Sequence, residues 1–219
     1  MNKRNIISII SAVLLTFAGG FTDAYTFIHR GAVFATMQTG NLIKFFISLT
    51  NGEFKLMFIL PIAFFILGGV IAVLLRKCKY QAHIVLISLI ISYVFAGLCP
   101  KNDAWDIVSV CILSIVGAMQ FEAFRVCLGY RYTSTMCTNN MRLLSTGIAE
   151  GKWKTILLYA SIITTFIIGI VIGVLAGKGM TTYSIIPITG IYLAVFLFQN
   201  HRRYRYHLPP EGCRNGYAR

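Results

Sequence analysis

Charged residues are scarce in this chain. Asp, Glu, Lys and Arg together make up 12% of its 219 residues, about half of the roughly 25% that is usual in soluble domains. Hydrophobic residues make up 57%, whereas a soluble chain of this length needs more polar side chains to cover its core, and a disordered chain contains far fewer apolar ones. The composition therefore indicates an integral membrane protein.

Acidic residues are the rarest of the charged ones. The chain has 7 Asp and Glu against 20 Lys and Arg, which gives a formal net charge of +13. The basic residues lie mainly between long apolar runs, as the positive-inside rule describes, and no nucleic-acid-binding motif is present. We therefore expect contact with membrane lipid and no nucleic-acid partner.

Motifs for catalysis and for metal binding are also missing. The sequence has no G-x-S-x-G, H-E-x-x-H or P-loop pattern, and its six cysteines form no C-x-x-C pair. These absences predict a protein that is not an enzyme and that holds no metal and no cofactor.

Six apolar stretches are long enough to cross the roughly 30 Å core of a bilayer as helices. They cover residues 5–28, 56–75, 82–99, 107–124, 155–177 and 180–200. An N-terminus in the cytoplasm places 15 of the 20 Lys and Arg residues on the inner side, so the positive-inside rule predicts that both termini are cytoplasmic. The sequence thus predicts an all-α, polytopic membrane protein whose basic tail, residues 201–219, contacts anionic lipid headgroups.

Two connecting segments are too apolar for ordinary loops. Residues 34–49 and 133–148 are shorter than a full span, and their polar residues cluster at one end. This pattern favours re-entrant helices that enter the membrane and leave on the same side. The alternative is an interfacial helix that lies on the membrane surface.

The chain contains an internal repeat with an offset of 99 residues. Residues 23–55 and 122–154 give seven identities in 33 pairs, more than the roughly two or three that chance gives. The repeat divides the chain into membrane units at 1–104 and 105–200, each with three spans and one re-entrant or interfacial helix. Because three is odd, the second unit is inserted upside down, and inverted repeats of this kind are typical of secondary transporters.

Two acids lie within the apolar runs, at equivalent positions of the repeat. Asp23 falls on Glu122 at the offset of 99, whereas the other acids are expected in loops or in the tail: Glu53, Asp103, Asp106, Glu150 and Glu211. A carboxylate in a membrane span is costly and indicates function, so we expect Asp23 and Glu122 to couple transport to protons. The structural alternative is that they pair with Arg30 and Arg125.

Two polar clusters precede the short helices. The first contains Thr36, Gln38, Thr39 and Asn41, and the second contains Thr135, Thr138, Asn139 and Asn140. Hydroxyl and amide groups can bind a solute without the cost of a buried charge, and N–H groups at the start of a helix can meet an anion. We expect these residues to bind substrate; the alternative is that they cap and cross-link helices.

The pattern Gly20-x-x-Asp23-Ala24, followed by Phe34 and by Thr39-Gly40-Asn41, resembles the signature of the YoaK-like family. Members of this family are bacterial membrane proteins of about this length, classed as a domain of unknown function. The resemblance covers essentially the whole chain. It implies a multi-pass protein of the bacterial cytoplasmic (inner) membrane, and it supplies no substrate.

These observations together predict a secondary transporter of a small-molecule substrate, coupled to protons through Asp23 and Glu122. A channel or passive facilitator that uses the same polar clusters is one alternative. A membrane scaffold or sensor that transports nothing is another. Six spans of modest length are compatible with a homodimer.

Overall fold

Eight α-helices account for most of the structure, a computed structural model that describes residues 3–200. The tail expected to bind headgroups, residues 201–219, lies outside the described residues. The helices are α1 (Lys3–His29), α2 (Gln38–Thr50), α3 (Leu56–Leu74), α4 (Gln81–Leu98), α5 (Asp103–Ala123), α6 (Thr138–Ala149), α7 (Trp153–Met180) and α8 (Ile188–Asn200). Two short antiparallel strands of two residues each, β1 (Val126–Cys127) and β2 (Tyr130–Arg131), form a hairpin.

Six stretches of the described chain are long and apolar enough to cross a membrane. They correspond to the six spans expected from the sequence, so the all-α, polytopic membrane class is confirmed. The sixth span is not one continuous helix: a 3-10 segment at Thr181–Ile185 precedes α8. The break lies at Pro187, which has no N–H to continue a helical hydrogen-bond ladder and which stands directly before the start of α8.

Helix α5 begins earlier than expected. The side chain of Asn102 accepts a hydrogen bond from the N–H of Trp105 at 3.0 Å and caps the helix, so its first turn contains Asp103 and Asp106. Acidic side chains at this end are favoured by the helix dipole. The expectation that Asp106 lies in a loop was wrong: it is a buried residue of this first turn.

The two segments expected to be re-entrant or interfacial do form short helices. Helix α2 has 13 residues and α6 has 12, so each is about 20 Å long at 1.5 Å per residue, too short to cross the bilayer core. Both begin later than expected, because the residues just before Gln38 and Thr138 are not helical. The exposed face of α2 is apolar and includes Leu42, Ile43, Phe46 and Ile47.

The long helices pack in two matching crossings. Helix α1 lies against α7, and α3 lies against α5. Each crossing is close because it contains a glycine: a Cβ added at Gly20 would overlap the carbonyl oxygen of Phe166, and one added at Gly68 would overlap that of Ile115. Small residues let helix backbones approach in this way in membrane proteins.

Adjacent glycines of α3 provide a matched test of this packing. We expect Gly68→Ala to destabilise the protein by about 1–3 kcal/mol, because the new methyl group meets the backbone of α5. Gly69→Ala has no atom within 4 Å of its new methyl group and should be neutral or stabilising, since Ala is the better helix former. Thermal unfolding of the purified variants in detergent measures the difference, and equal unfolding temperatures would contradict the helix crossing.

Candidate functional site

The segments before α2 and α6 meet at the centre of the molecule. The hydroxyl oxygen of Thr36 lies 2.9 Å from the backbone carbonyl oxygen of Thr135. Both residues are buried, and they are 99 residues apart, so each is the repeat equivalent of the other. The structure thus brings together one residue from each of the two polar clusters.

Each segment is held in the same way by an asparagine of the following helix. Asn41 accepts from the N–H of Phe34 at 2.9 Å and donates to its carbonyl at 2.7 Å. Asn140 makes the same two bonds with Thr133, at 3.0 and 2.7 Å. The two turns are therefore held alike, although α2 begins at Gln38 and the equivalent residue, Cys137, lies just before α6. Both asparagines stabilise the backbone, which is the alternative role considered for the clusters.

Glycines bring the first helix of each half against the segment from the other half. A Cβ at Gly19 of α1 would overlap the carbonyl oxygen of Ser134, and a Cβ at Gly117 of α5 would meet the side chain of Thr36. Larger residues at either position would push the helix away from these contacts. The two polar segments are consequently enclosed between α1 and α5.

Asp23 of α1 is buried beside Thr36. Its carboxylate accepts two hydrogen bonds from that residue, one from the N–H at 2.9 Å and one from the hydroxyl at 2.5 Å. Among residues 5–179 and 182–199, whose side chains the structure describes, no basic side chain forms an ion pair with it. The alternative that Arg30 pairs with Asp23 was therefore wrong.

Glu122 of α5 has a different environment from its repeat equivalent. It forms ion pairs with Arg76 and with Arg125, the latter at 3.1 Å, and its side chain is 14% exposed. The pairing with Arg125 considered from the sequence is thus present, and Arg76 joins it from the end of α3. One carboxylate is shared by two guanidinium groups, so this cluster carries an excess of positive charge.

A series of side-chain hydrogen bonds crosses the core next to this site. Tyr192 of α8 donates to the hydroxyl of Tyr93 of α4 at 2.8 Å and lies 3.1 Å from the amide oxygen of Gln120. The Tyr93 hydroxyl is 2.5 Å from that of Thr22, and the Gln120 amide donates to the Ser134 hydroxyl at 3.1 Å. We did not predict these residues from the sequence, although Tyr93 and Tyr192 are again 99 residues apart and could have been found by extending the repeat.

The remaining predicted binding residues are less central. Gln38 donates to the carbonyl of Ala35 at 2.7 Å and accepts from Asn41 at 2.9 Å. Thr39 and Thr138 are both exposed, and Asn139 is contacted by the guanidinium of Arg142 at 3.3 Å. The structure does not place Thr39, Thr138 or Asn139 in contact with Asp23.

Arg30 organises one end of the bundle. Its guanidinium pairs with Asp106 at 2.8 Å and donates to the carbonyl oxygens of Pro100 and Cys99, each at 3.0 Å, as well as to that of Ala96. Its fifth N–H group, on Nε, donates to the Tyr25 hydroxyl at 3.0 Å. All five donors are used, so this fully buried arginine ties α1 to the end of α4 and the start of α5.

Two aspartates in the first turn of α5 allow the ion pair to be tested. We expect Asp106→Asn to cost about 3 kcal/mol, because it leaves the buried guanidinium without a counter-charge. Asp103→Asn, at an exposed position of the same turn, should cost well under about 1 kcal/mol, the size of a helix-dipole contribution. Thermal unfolding of both variants distinguishes these effects, and equal losses would show that the ion pair does not hold the bundle end.

Comparison with known proteins places the chain in a family. Searches of curated proteins and of solved structures gave no significant match. A family model described as a protein of unknown function, DUF1275, matches residues 11–198. The match covers most of the chain and includes all of the polar segments described above, so the expectation of an uncharacterised membrane-protein family is confirmed. This membrane-embedded, helical chain belongs to the DUF1275 family.

Proposed function

We propose that the protein is a secondary transporter of a small solute, built from two inverted repeats that meet at Thr36 and Thr135. The observation that carries this proposal is the contact between repeat equivalents, at Thr36–Thr135 and again at Tyr93–Tyr192. A two-fold rotation exchanges equivalent residues, so a residue can touch its own equivalent only beside the rotation axis. Two such pairs support a pseudo-two-fold axis through the centre of the bundle.

The helix packing supports the same axis. If each helix of the first half is replaced by its equivalent in the second, the α1–α7 crossing becomes the α5–α3 crossing. The contact of α2 with α3 becomes that of α6 with α7, and the contact of α4 with α5 becomes that of α8 with α1. With three spans in each half, such an axis lies in the membrane plane, which is the arrangement of inverted-repeat transporters.

The environments of the two acids support coupling to protons. Asp23 is buried and has no basic partner among the described side chains, whereas Glu122 is paired with two arginines near the surface. Buried acids in membrane spans commonly carry protons in transporters. In each state of an alternating-access transporter, the two halves have different conformations, and they exchange these conformations in the other state. Equivalent groups are therefore expected to have different environments in any one state.

The location and orientation belong to the same proposal. We place the protein in the cytoplasmic membrane of a bacterium with both termini inside, because this orientation follows the distribution of the basic residues. Helix α2 then lies toward the outer side and α6 toward the cytoplasm. Arg76 and Arg125 lie at the cytoplasmic end of the bundle.

Proton movement in liposomes tests the proposal. Vesicles that contain the protein and a pH-sensitive dye are offered a library of metabolites, and we expect at least one to change the internal pH in a saturable way. Asp23→Asn and Glu122→Gln should each abolish this change, because they keep the shape of the side chain and remove its titration. Glu53→Gln is the matched control, since Glu53 is an exposed acid that pairs only with Lys55 in the described chain.

Folding has to be measured beside flux. Asn at position 23 can still accept from the Thr36 N–H, so we expect Asp23→Asn to unfold within a few degrees of the wild type. A folded Asp23→Asn protein that moves protons at the wild-type rate would contradict proton coupling. Flux that rises linearly with solute concentration would identify a channel instead of a transporter.

A further inference from the structure

The hydroxyl of Thr135 is buried, and no hydrogen bond joins it to the part of the chain that the structure describes. The residue is 1% exposed, and its Oγ1 contacts no donor or acceptor among the described residues. An unpaired buried hydroxyl costs free energy that folding does not recover. Such a group is an indication of a ligand when its surroundings can hold one.

The equivalent hydroxyl in the first half shows which chemical group this turn holds. Thr36 donates both its N–H and its hydroxyl to the carboxylate of Asp23. Matching asparagine bonds hold the turns that contain Thr36 and Thr135 in the same way. Thr135 therefore presents the same pair of donors, at the corresponding end of α6, and the group they fit is a carboxylate.

The second half does not supply that carboxylate itself. Glu122, the equivalent of Asp23, is held by Arg76 and Arg125. The N-cap residue of α6, Cys137, makes no side-chain hydrogen bond to the helix. The positive end of the α6 dipole thus lies beside a hydroxyl that no acid of the described chain contacts.

A positively charged cluster lies at Glu122, two residues along α5 from Gln120, whose amide donates to the hydroxyl of Ser134. Arg76 and Arg125 share a single carboxylate, and each guanidinium is about one-third exposed. Burial is the main cause that lowers the pKa of Arg125, and the nearby positive charge of Arg131 lowers it further. An anion that approaches from this end meets an attractive potential.

From these observations we propose that the turn at Thr135 and the N-terminal end of α6 bind the carboxylate group of a small organic anion. The proposal rests on the proposed function, since it makes this anion the transported solute. Asp23 occupies the matching position in the first half, so the two halves differ in whether the bound carboxylate belongs to the protein or to the solute.

Binding in detergent tests the site without any need for transport. The probes are acetate, lactate and succinate, each exchanged for chloride at constant ionic strength and each compared with its neutral amide. A ligand that binds only the native state raises the unfolding temperature. We expect at least one of the three anions to give a saturable rise, and we expect its amide to give none.

Thr135→Val is the diagnostic variant, because it keeps the shape of the side chain and removes the hydroxyl. We expect it to weaken binding of the anion about tenfold, the effect of one hydrogen bond to a charged group. The variant itself should be as stable as the wild type or more so, since it removes an unpaired buried hydroxyl. Ser109→Ala is the matched control: it removes another unpaired buried hydroxyl, about three turns of α5 away from Gln120, and should leave binding unchanged.

The results separate this proposal from that of transport. No stabilisation by any of the three anions, equal stabilisation by an amide, or unchanged binding in Thr135→Val would overturn the carboxylate site. Proton-coupled flux of a neutral solute together with any of these results would leave the transporter standing. Thr135-dependent binding with no flux of any solute would support the site and remove the transport proposal.

Discussion

Buried polar groups in a membrane protein have to be satisfied by the chain itself, because the hydrocarbon core offers no water. The contacts of Thr36 meet this constraint at the centre of the molecule. Its N–H and hydroxyl bind the carboxylate of Asp23, and its hydroxyl also lies 2.9 Å from the carbonyl of Thr135. Non-helical backbone can thus exist inside the bundle, since α1 and α5 enclose it and Asp23 supplies an acceptor.

The same constraint explains the end of the bundle. Helix α4 ends near Leu98 and leaves carbonyl groups without helical partners. Arg30 binds these carbonyls and takes its counter-charge from Asp106. A charge that would be costly in the membrane therefore becomes a connection between three helices. Asp23 and Asp106 are the two buried acids of the described chain, and this arrangement accounts for Asp106.

Hydropathy and the repeat predicted much of the architecture. The spans were predictable because a membrane helix needs about 20 apolar residues in a row, which is a local property of the sequence. The equivalence of Thr36 with Thr135 was also predictable, because the offset of 99 is visible in the sequence. The direction in which a side chain points was not predictable from the sequence. Thr39 and Thr138 belong to the polar clusters but are exposed. Glu122 pairs with arginines, whereas its equivalent Asp23 pairs with none among the described side chains.

Contacts between residues far apart in the sequence were the main feature that we did not predict. Arg30 and Asp106 are 76 residues apart and carry no motif, so only the packing of α1 against α4 and α5 reveals their pairing. The Tyr93–Tyr192 pair has the repeat offset but lies outside the segment in which identities are frequent. In both cases the pairing depends on tertiary packing, which local patterns of hydropathy do not encode.

The central claim is that the two halves are inverted with respect to the membrane, and the turns that follow α2 and α6 test it most directly. Asn51 and Glu150 are exposed, lie 99 residues apart, and precede Gly52 and Gly151, which both have positive φ. Single cysteines at these positions, in a protein without its native cysteines, can be labelled with a membrane-impermeant maleimide in intact spheroplasts. With inverted halves, we expect labelling at position 51 from outside and at position 150 only after the membrane is opened. Labelling of both positions from the same side would contradict the inverted repeat.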